Sequence, residues 1–452
     1  MPLQLFTIAR NTFVESIRQP IFFVLVILSG VMQWLNTWGT GFSMASSTTT
    51  SEVVGDNKLL LDIGLATVFV CGMVLAAFAA TAVVSREIEN KTVLTVVSKP
   101  IGRPILILGK YLGVASAILL ATLIMLLFLL MAIRHGVMSI ASDRLDGPVF
   151  AFTFGAVGLA LALAIVTNYL YGWPFSQTCI LTMAPALALG YFLVLLISKQ
   201  WHWQPLATDF KPQVALTCTA VVMALLVITA LATAVSTRLG QVMTIVVCAG
   251  AFVFGLMSNH FIGRHAFNNE WIGIIHRADA DHPQERDFRR PGDSYHLTFE
   301  NEPNVALPAG TPFFWGSSPN GSMLAVLPFV PPSQETLNSG ALLDERTAPA
   351  VIVTRVEGRV VTIRAIGSGP PPAVRPPLPG DYAFIRPTSV NPLAMTLWAI
   401  VPNMHYFWLI DAVTQNAPVP LSHLMLIGLY GLSQIGAFLA LGVLLFQRRD
   451  VG

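Results

Sequence analysis

Arg86-Glu87-Ile88-Glu89-Asn90-Lys91-Thr92-Val93-Leu94-Thr95-Val96-Val97-Ser98-Lys99-Pro100-Ile101-Gly102-Arg103 sits between two apolar runs, 62–85 and 106–132. The segment holds four basic and two acidic side chains. A charge at the centre of a membrane helix costs about 2.5–3.5 kcal/mol, so these residues lie outside lipid. Each flanking run supplies the roughly 20 apolar residues a helix needs to cross the hydrocarbon core. Two spans joined by a charged segment on one membrane face therefore set the fold class. Within the segment the spacing predicts a short helix over 87–97, lying across the membrane face and placed to touch a soluble partner. Glu87 and Glu89 fall at its start, where carboxylates complement the positive end of the helix dipole. Lys99-Pro100 ends it, because proline disfavours helical geometry in the preceding residue. Arg103 and Lys110 then flank the return to lipid as interfacial anchors.

Further apolar runs lie near 21–38, 149–171, 177–198, 213–234, 239–259 and 421–446, which makes eight spans. The turn Gly172-Trp173-Pro174 is very short, so a re-entrant hairpin over 149–198 is the alternative to two spans there. Only 11% of the 452 residues are charged, against about 25% in a soluble domain, and the mean hydropathy is +0.66. A net charge of +2 gives no reason to expect nucleic acid. Residues 3–18 read as an amphipathic helix in the headgroup plane, with Arg10 and Arg18 as anchors. The first apolar run follows some twenty residues of lead-in and no A-x-A site follows it, so it reads as a retained helix rather than a signal peptide. Basic residues in short loops set orientation. With the amino terminus inside, ten face the cytoplasm (Arg10, Arg18, Arg86, Lys91, Lys99, Arg103, Lys110, Arg238, Arg448 and Arg449) and five the other side (Lys58, Arg134, Arg144, Lys199 and Lys211). Both termini are then cytoplasmic, and Arg448 and Arg449 anchor the last span. The four cysteines all fall in apolar runs without a CxxC pair, the pattern of buried thiols.

Residues 263–394 differ in kind: they hold 18 of the 30 prolines and 13 of the 24 acidic residues, with no lysine. Two strands around Glu357-Gly358, and a third at 381–385, predict a small β-rich insert on the outer face. Pro370-Pro371-Pro372 and Pro376-Pro377 mark a stiff connector. His276, Asp279, Asp281 and His282 crowd four potential metal ligands together, but without EF-hand or His-Glu-x-x-His spacing they read as a solvated, charged loop. Arg286, Arg289 and Arg290 beside them could steer an anion, and otherwise read as a solvated face. Asp62, near the outer end of the second span, reads as interfacial with access to water. The aromatic run His405 to Trp408, with Asp411, reads as a short helix on the outer leaflet. Gly316 to Ser322 has the glycine spacing of a phosphate loop but lacks its lysine, so this chain is not itself the ATP-hydrolysing motor.

Taken with their order and membrane placement, these residues resemble the ABC-2 type permeases, membrane subunits of ATP-driven exporters. The resemblance rests on Glu87, Glu89, Thr92, Ser98, Lys99, Pro100, Arg103 and Lys110, on the helix at 3–18, and on Ser236-Thr237-Arg238. Val401-Pro402-Asn403 with Phe407 and Asp411, and the closing Phe446 to Asp450, match the family's last segment. It covers roughly 1–132, 213–262 and 395–452. The extra pair at 149–198 and the insert at 263–394 depart from the usual six spans.

The resemblance implies a permease in the cytoplasmic (inner) membrane, dimerised with a second protomer, homo- or heteromeric. Two copies of a separate ABC ATPase subunit carry ATP and Mg, and this chain binds no cofactor. Glu87, Glu89, Thr92, Ser98, Lys99, Pro100 and Arg103 are the expected ATPase-coupling residues. The domain plan is 1–19 interfacial helix, 20–262 membrane domain with a coupling helix at 86–103, 263–394 insert, and 395–452 interfacial helix plus last span. Two alternatives remain open. One is a mechanotransmission complex acting on an extracytoplasmic protein. The other is an ATP-independent transporter or channel, which the scarcity of ionisable residues in the spans disfavours; a membrane-embedded hydrolase lacks any suitable constellation in a span.

Overall fold

The computed structural model describes residues 2–40, 57–89, 102–138, 145–282, 288, 290, 292–319, 350–367, 375–386, 388–410 and 419–447. The chain forms two compact units, one of residues 1–254 with 404–452 and one of 255–403.

The first unit is helical. Helix α1 (Pro2–Ile17) leads into α2 (Pro20–Gly39), followed by α3 (Asn57–Glu89), α4 (Arg103–His135), α5 (Gly147–Tyr171), α6 (Phe175–Leu196), α7 (Pro212–Ser236), α8 (Gln241–Ser258) and, after the insert, α10 (Leu421–Gln447). The eight helices after α1 are each long and apolar enough to cross a membrane. Proline opens α2, α4, α5 and α7, where its missing N–H costs nothing and its fixed φ suits the first turn. Gly172 ends α5 in a left-handed conformation (φ 66°), which Gly adopts without strain. Two packed helices of 25 and 22 residues follow from that tight turn. Each is span-length, which favours two crossings over a re-entrant hairpin.

Burial ranks the helices. In their most apolar windows α3, α4 and α7 are 67%, 72% and 67% buried, whereas α2, α5, α8 and α10 lie between 22% and 33%. The first three form the core and the rest surround it. Polar side chains lock the ring to the core: Gln33 donates to the Gly64 carbonyl and Asn36 to the Leu60 carbonyl, both at 2.9 Å. Such bonds hold helices together where apolar contact gives no preference for protein over lipid. Gly113 lets α1 press against α4, since a Cβ there would lie 2.5 Å from the Ala9 carbonyl oxygen.

The second unit is built on β2 (Trp271–Ala280), β3 (Ser294–Phe299), β4 (Phe314–Gly316), β5 (Ala350–Glu357), β6 (Val360–Ile366) and β7 (Tyr382–Phe384). Their order is β4-β7-β2-β3-β6-β5, each adjacent pair antiparallel. Residues 310–313 bond along the outer edge of β5, through Gly310 N to Val353 O (2.7 Å) and Phe313 N to Val351 O (2.8 Å). Residues 314–316 of the same segment pair with β7. One extended segment thus serves both edges, and the six strands close into a small barrel. Ile275, Leu297, Phe299, Phe313, Val353 and Ile363 fill it. A short clasp of β1 (Phe267–Asn268) and β8 (Ser389–Val390) brings the ends of the insert together.

The predicted hairpin and third strand are present, with Glu357 paired to Val360 so that Gly358 and Arg359 make the turn. The charged loop expected at His276 to His282 is largely strand, because β2 runs through Ala280. Helical conformation continues past α8 through a π-turn, Asn259–Gly263, to Ala266. Helix α9 (Pro392–Ile400), capped by the Asn391 side chain, belongs to this second unit. The insert therefore starts and ends a few residues away from 263 and 394.

Candidate functional site

One end of the helical unit gathers the sites predicted to meet a partner. Arg103, at the start of α4, donates to the Gln447 carbonyl at the end of α10 (3.0 Å) and lies 6.0 Å from the Phe446 ring. Arg238, just past α7, donates to the Leu445 carbonyl (2.9 Å). Arg18 donates from Nε to Gln177 Oε1 (2.8 Å), and the Ser176 hydroxyl donates to the Ile17 carbonyl (3.0 Å), tying the α1–α2 elbow to the start of α6. Cations at the C-terminal ends of helices complement the negative dipole end, which accounts for Arg103 and Arg238 seated on the α10 terminus. Arg10 is exposed on α1. The α1 elbow, the start of α4, the α5–α6 turn, the end of α7 and the end of α10 thus share one face.

Three expected residues are placed differently. Lys110 is not an interfacial anchor: its side chain is buried (5% exposed) and its ammonium donates to the Val83 carbonyl of α3 at 3.0 Å. It binds the two core helices on either side of the charged segment to each other. Glu87 and Glu89 do not open a separate helix, because α3 is continuous from Asn57 to Glu89 and carries them in its last turn. The second span and the acidic pair are one rigid rod. Their side chains, with Thr92, Ser98, Lys99, Pro100, Arg448 and Arg449, lie outside the described residues, as do Asp411, Arg286 and Arg289. Where the expected outer-leaflet helix falls within the described residues, Met404–Phe407 form a 3-10 turn whose Met404 and Phe407 are buried, Phe407 beside Tyr430 of α10.

The opposite end holds a cluster that the sequence reading did not assemble. Arg134, in the last turn of α4, donates to Asp146 Oδ2 at 2.7 Å, and its Nε lies 2.8 Å from Asp209 Oδ2. The second contact is an ion pair without hydrogen-bond alignment. Asp146 is wholly buried and caps α5 by accepting from Val149 N. Gln204 donates to Asp209, and Lys199 donates to the His135 carbonyl (3.1 Å). One buried guanidinium thereby joins the end of α4 to the starts of α5 and α7. Each residue was visible as a charge bordering an apolar run; nothing in the sequence signalled that they meet. Among the described residues no group of His, Cys, Asp and Glu could hold a metal ion. In the insert, Asp281 instead meets His296 (3.2 Å), whose other ring nitrogen contacts the Thr362 hydroxyl (3.0 Å).

In the helical unit α1 packs along α4, Ile8 beside Gly109 and Ala9 beside Gly113, next to the point where the charged segment joins α4. Residues 6–168 match the family model of the ABC-2 family transporter protein. This stretch is similar to an ABC-2 transporter domain. It contains the charged segment with both of its attached helices and runs through most of α5, and with eight span-length apolar helices the chain is a multi-pass membrane protein. No curated protein and no solved structure matches the chain.

Proposed function

We propose that this chain is the permease of an exporter in the cytoplasmic membrane, in which the segment at 86–103 takes up motion from two ATPase subunits as they bind and hydrolyse ATP with Mg. The observation that supports it most directly is mechanical. The segment is attached to α3 and α4, two of the three helices that form the core, and Lys110 ties those two together. A displacement of a few ångströms at the segment passes straight into the core instead of being lost in a peripheral helix. Rigid elements with two discrete arrangements are how such displacements become transitions. Glu87 and Glu89 make charge-assisted contacts with basic groups on the ATPase, and Thr92, Ser98, Lys99, Pro100 and Arg103 complete the contact. Two such permeases, identical or paired with a relative, enclose the path, with both termini cytoplasmic and Arg10, Arg18, Arg448 and Arg449 at the headgroups.

Co-expression with its ABC ATPase subunit should yield a stoichiometric complex in membranes. Replacing both Glu87 and Glu89 by Ala should lower ATPase activity coupled to transport in reconstituted vesicles while insertion is unchanged. Full coupling in that double variant would overturn the assignment. A second reading has one observation in its favour. The insert is a barrel filled by its own side chains, suited to acting as a solid body on an extracytoplasmic protein in a mechanotransmission complex. Capture of such a protein, with no cargo moved, would select it.

A further inference from the structure

The surface of the helical unit is cut by a cleft of about 240 Å³ between α2, α4 and α5. Its length runs along α2 from Ile27 to Trp38, its floor is the Phe128 ring of α4, and its far wall is Phe154 and Val157 of α5. Gly30 makes the floor: a Cβ there would stand 2.9 Å from the Phe128 ring, so only glycine lets that ring lie against α2. Of the lining groups able to hydrogen-bond, Trp34 Nε1 and Thr153 Oγ1 are buried and Trp38 Nε1 donates to the Met138 sulfur (3.3 Å). The surface offered to an occupant is hydrocarbon and aromatic carbon throughout. That excludes a charged or hydrogen-bonding ligand, because each buried polar group left unpaired costs about 1–3 kcal/mol.

Length and position select the occupant. Eleven helical steps of 1.5 Å from Ile27 to Trp38 make about 16 Å. Half of a hydrocarbon core about 30 Å thick is about 15 Å. The cleft is one leaflet long, with Trp38 at the end where α2 leaves the apolar layer, the place indole rings favour. It is also continuous with the outward surface of the spans. Leu28, Val31 and Leu35 on α2 and Leu159 on α5 are all exposed beside it, on two helices that are only 33% and 28% buried.

We propose that this cleft holds one acyl chain of a membrane lipid, seated between α2 and α5 against the Phe128 ring of α4. The chain fills the gap that α2 and α5 leave against the core.

The test uses the full chain reconstituted in nanodiscs of dioleoyl phosphatidylglycerol, then released into mild detergent and weighed by native mass spectrometry. It needs no ATPase, so its outcome is independent of the exporter reading. The intact protein should retain one lipid mass per chain. Val31→Trp fills the cleft from its exposed rim and should lower that occupancy at least tenfold. Leu28→Trp places the same bulk outside the cleft and should leave it unchanged. Should Val31→Trp fail to fold, Val157→Phe fills the cleft from α5 and should give the same loss. Equal retention in all variants, or none in the intact protein, overturns the proposal. So does a dimer that Val31→Trp dissociates, since the cleft then belongs to a second copy of the chain.

Discussion

Replacing Arg134 with Met tests whether one guanidinium holds the end of α4 to the starts of α5 and α7. The substitution keeps most of the stem and removes the cation, leaving Asp146 ionised and wholly buried without its 2.7 Å partner. Breaking a buried pair by deleting one member costs about 3–5 kcal/mol, because the remaining charge stays desolvated. Asp209 is 26% exposed and its contact with Nε is unaligned, so its share is nearer the range of about 0–1 kcal/mol for a solvated pair. The asymmetry can be measured. Arg134→Met should lower the free energy of unfolding in mixed micelles, followed by tryptophan fluorescence, by about 3–5 kcal/mol. Adding Asp146→Asn removes the stranded charge and should restore about 1–3 kcal/mol as a coupling energy. Adding Asp209→Asn should restore under about 1 kcal/mol. A loss below about 1 kcal/mol for Arg134→Met, or equal coupling to both aspartates, would refute the reasoning.

Gly113→Leu drives a side chain into the Ala9 carbonyl and Thr12 and should lift α1 from α4. A thiol introduced by Thr12→Cys, at a position now 3% exposed, should then become reactive to a water-soluble maleimide. Lys110→Met should remove the charge-assisted bond to the Val83 carbonyl and cost about 1.5–3 kcal/mol, with faster hydrogen exchange at the ends of α3 and α4 facing the charged segment. In the insert, Asp381 accepts two bonds from Arg375 at 2.7 and 2.6 Å. Asp381→Asn should cost about 1.5–3 kcal/mol and advance proteolysis of the barrel. The hydrogen bond to Asp381 raises the Arg375 guanidinium above its ordinary value. A raised cation pKa gives stability that is complete below the unfolded value and is lost only above it. Alkaline titration short of that value should therefore leave the contribution of Arg375 intact.

The spans were legible because twenty-residue apolar runs leave few alternatives, and Gly172 with Pro174 marked the one tight turn between them. The acidic pair was harder. Carboxylates at 87 and 89 look like a helix start by dipole logic, but residues 85–89 contain no breaker, and a helix already running through α3 simply continues. Lys110 was misplaced for a related reason: it follows a membrane boundary in sequence, while the fold turns it inward to a carbonyl across the helix pair. Strand β2 was hidden by its polar end, His276 to Asp279, although Ile272 to Ile275 carries the β-branched residues of a strand. Arg134, Asp146 and Asp209 come from three separate loops. Their meeting depends on how the helices pack, which no local pattern encodes.

The double duty of residues 310–316 reaches into how the insert is made. This segment is synthesised before both of its partners, β5 and β7, so the ring cannot shut until the chain has extended past residue 384. Contacts between residues so far apart carry a loop-closure cost before they give anything back, and folds rich in them form slowly. A chain stopped at residue 340 would hold β2 and β3 with the other edge of each, the ones met by β7 and β6, still open, a sticky intermediate of the kind chaperones bind. Once shut, residues 310–316 occupy the edges of β5 and β7 that another protein could otherwise extend. A partner that engages the insert there would have to use side chains and loops, and only after the insert has been completed.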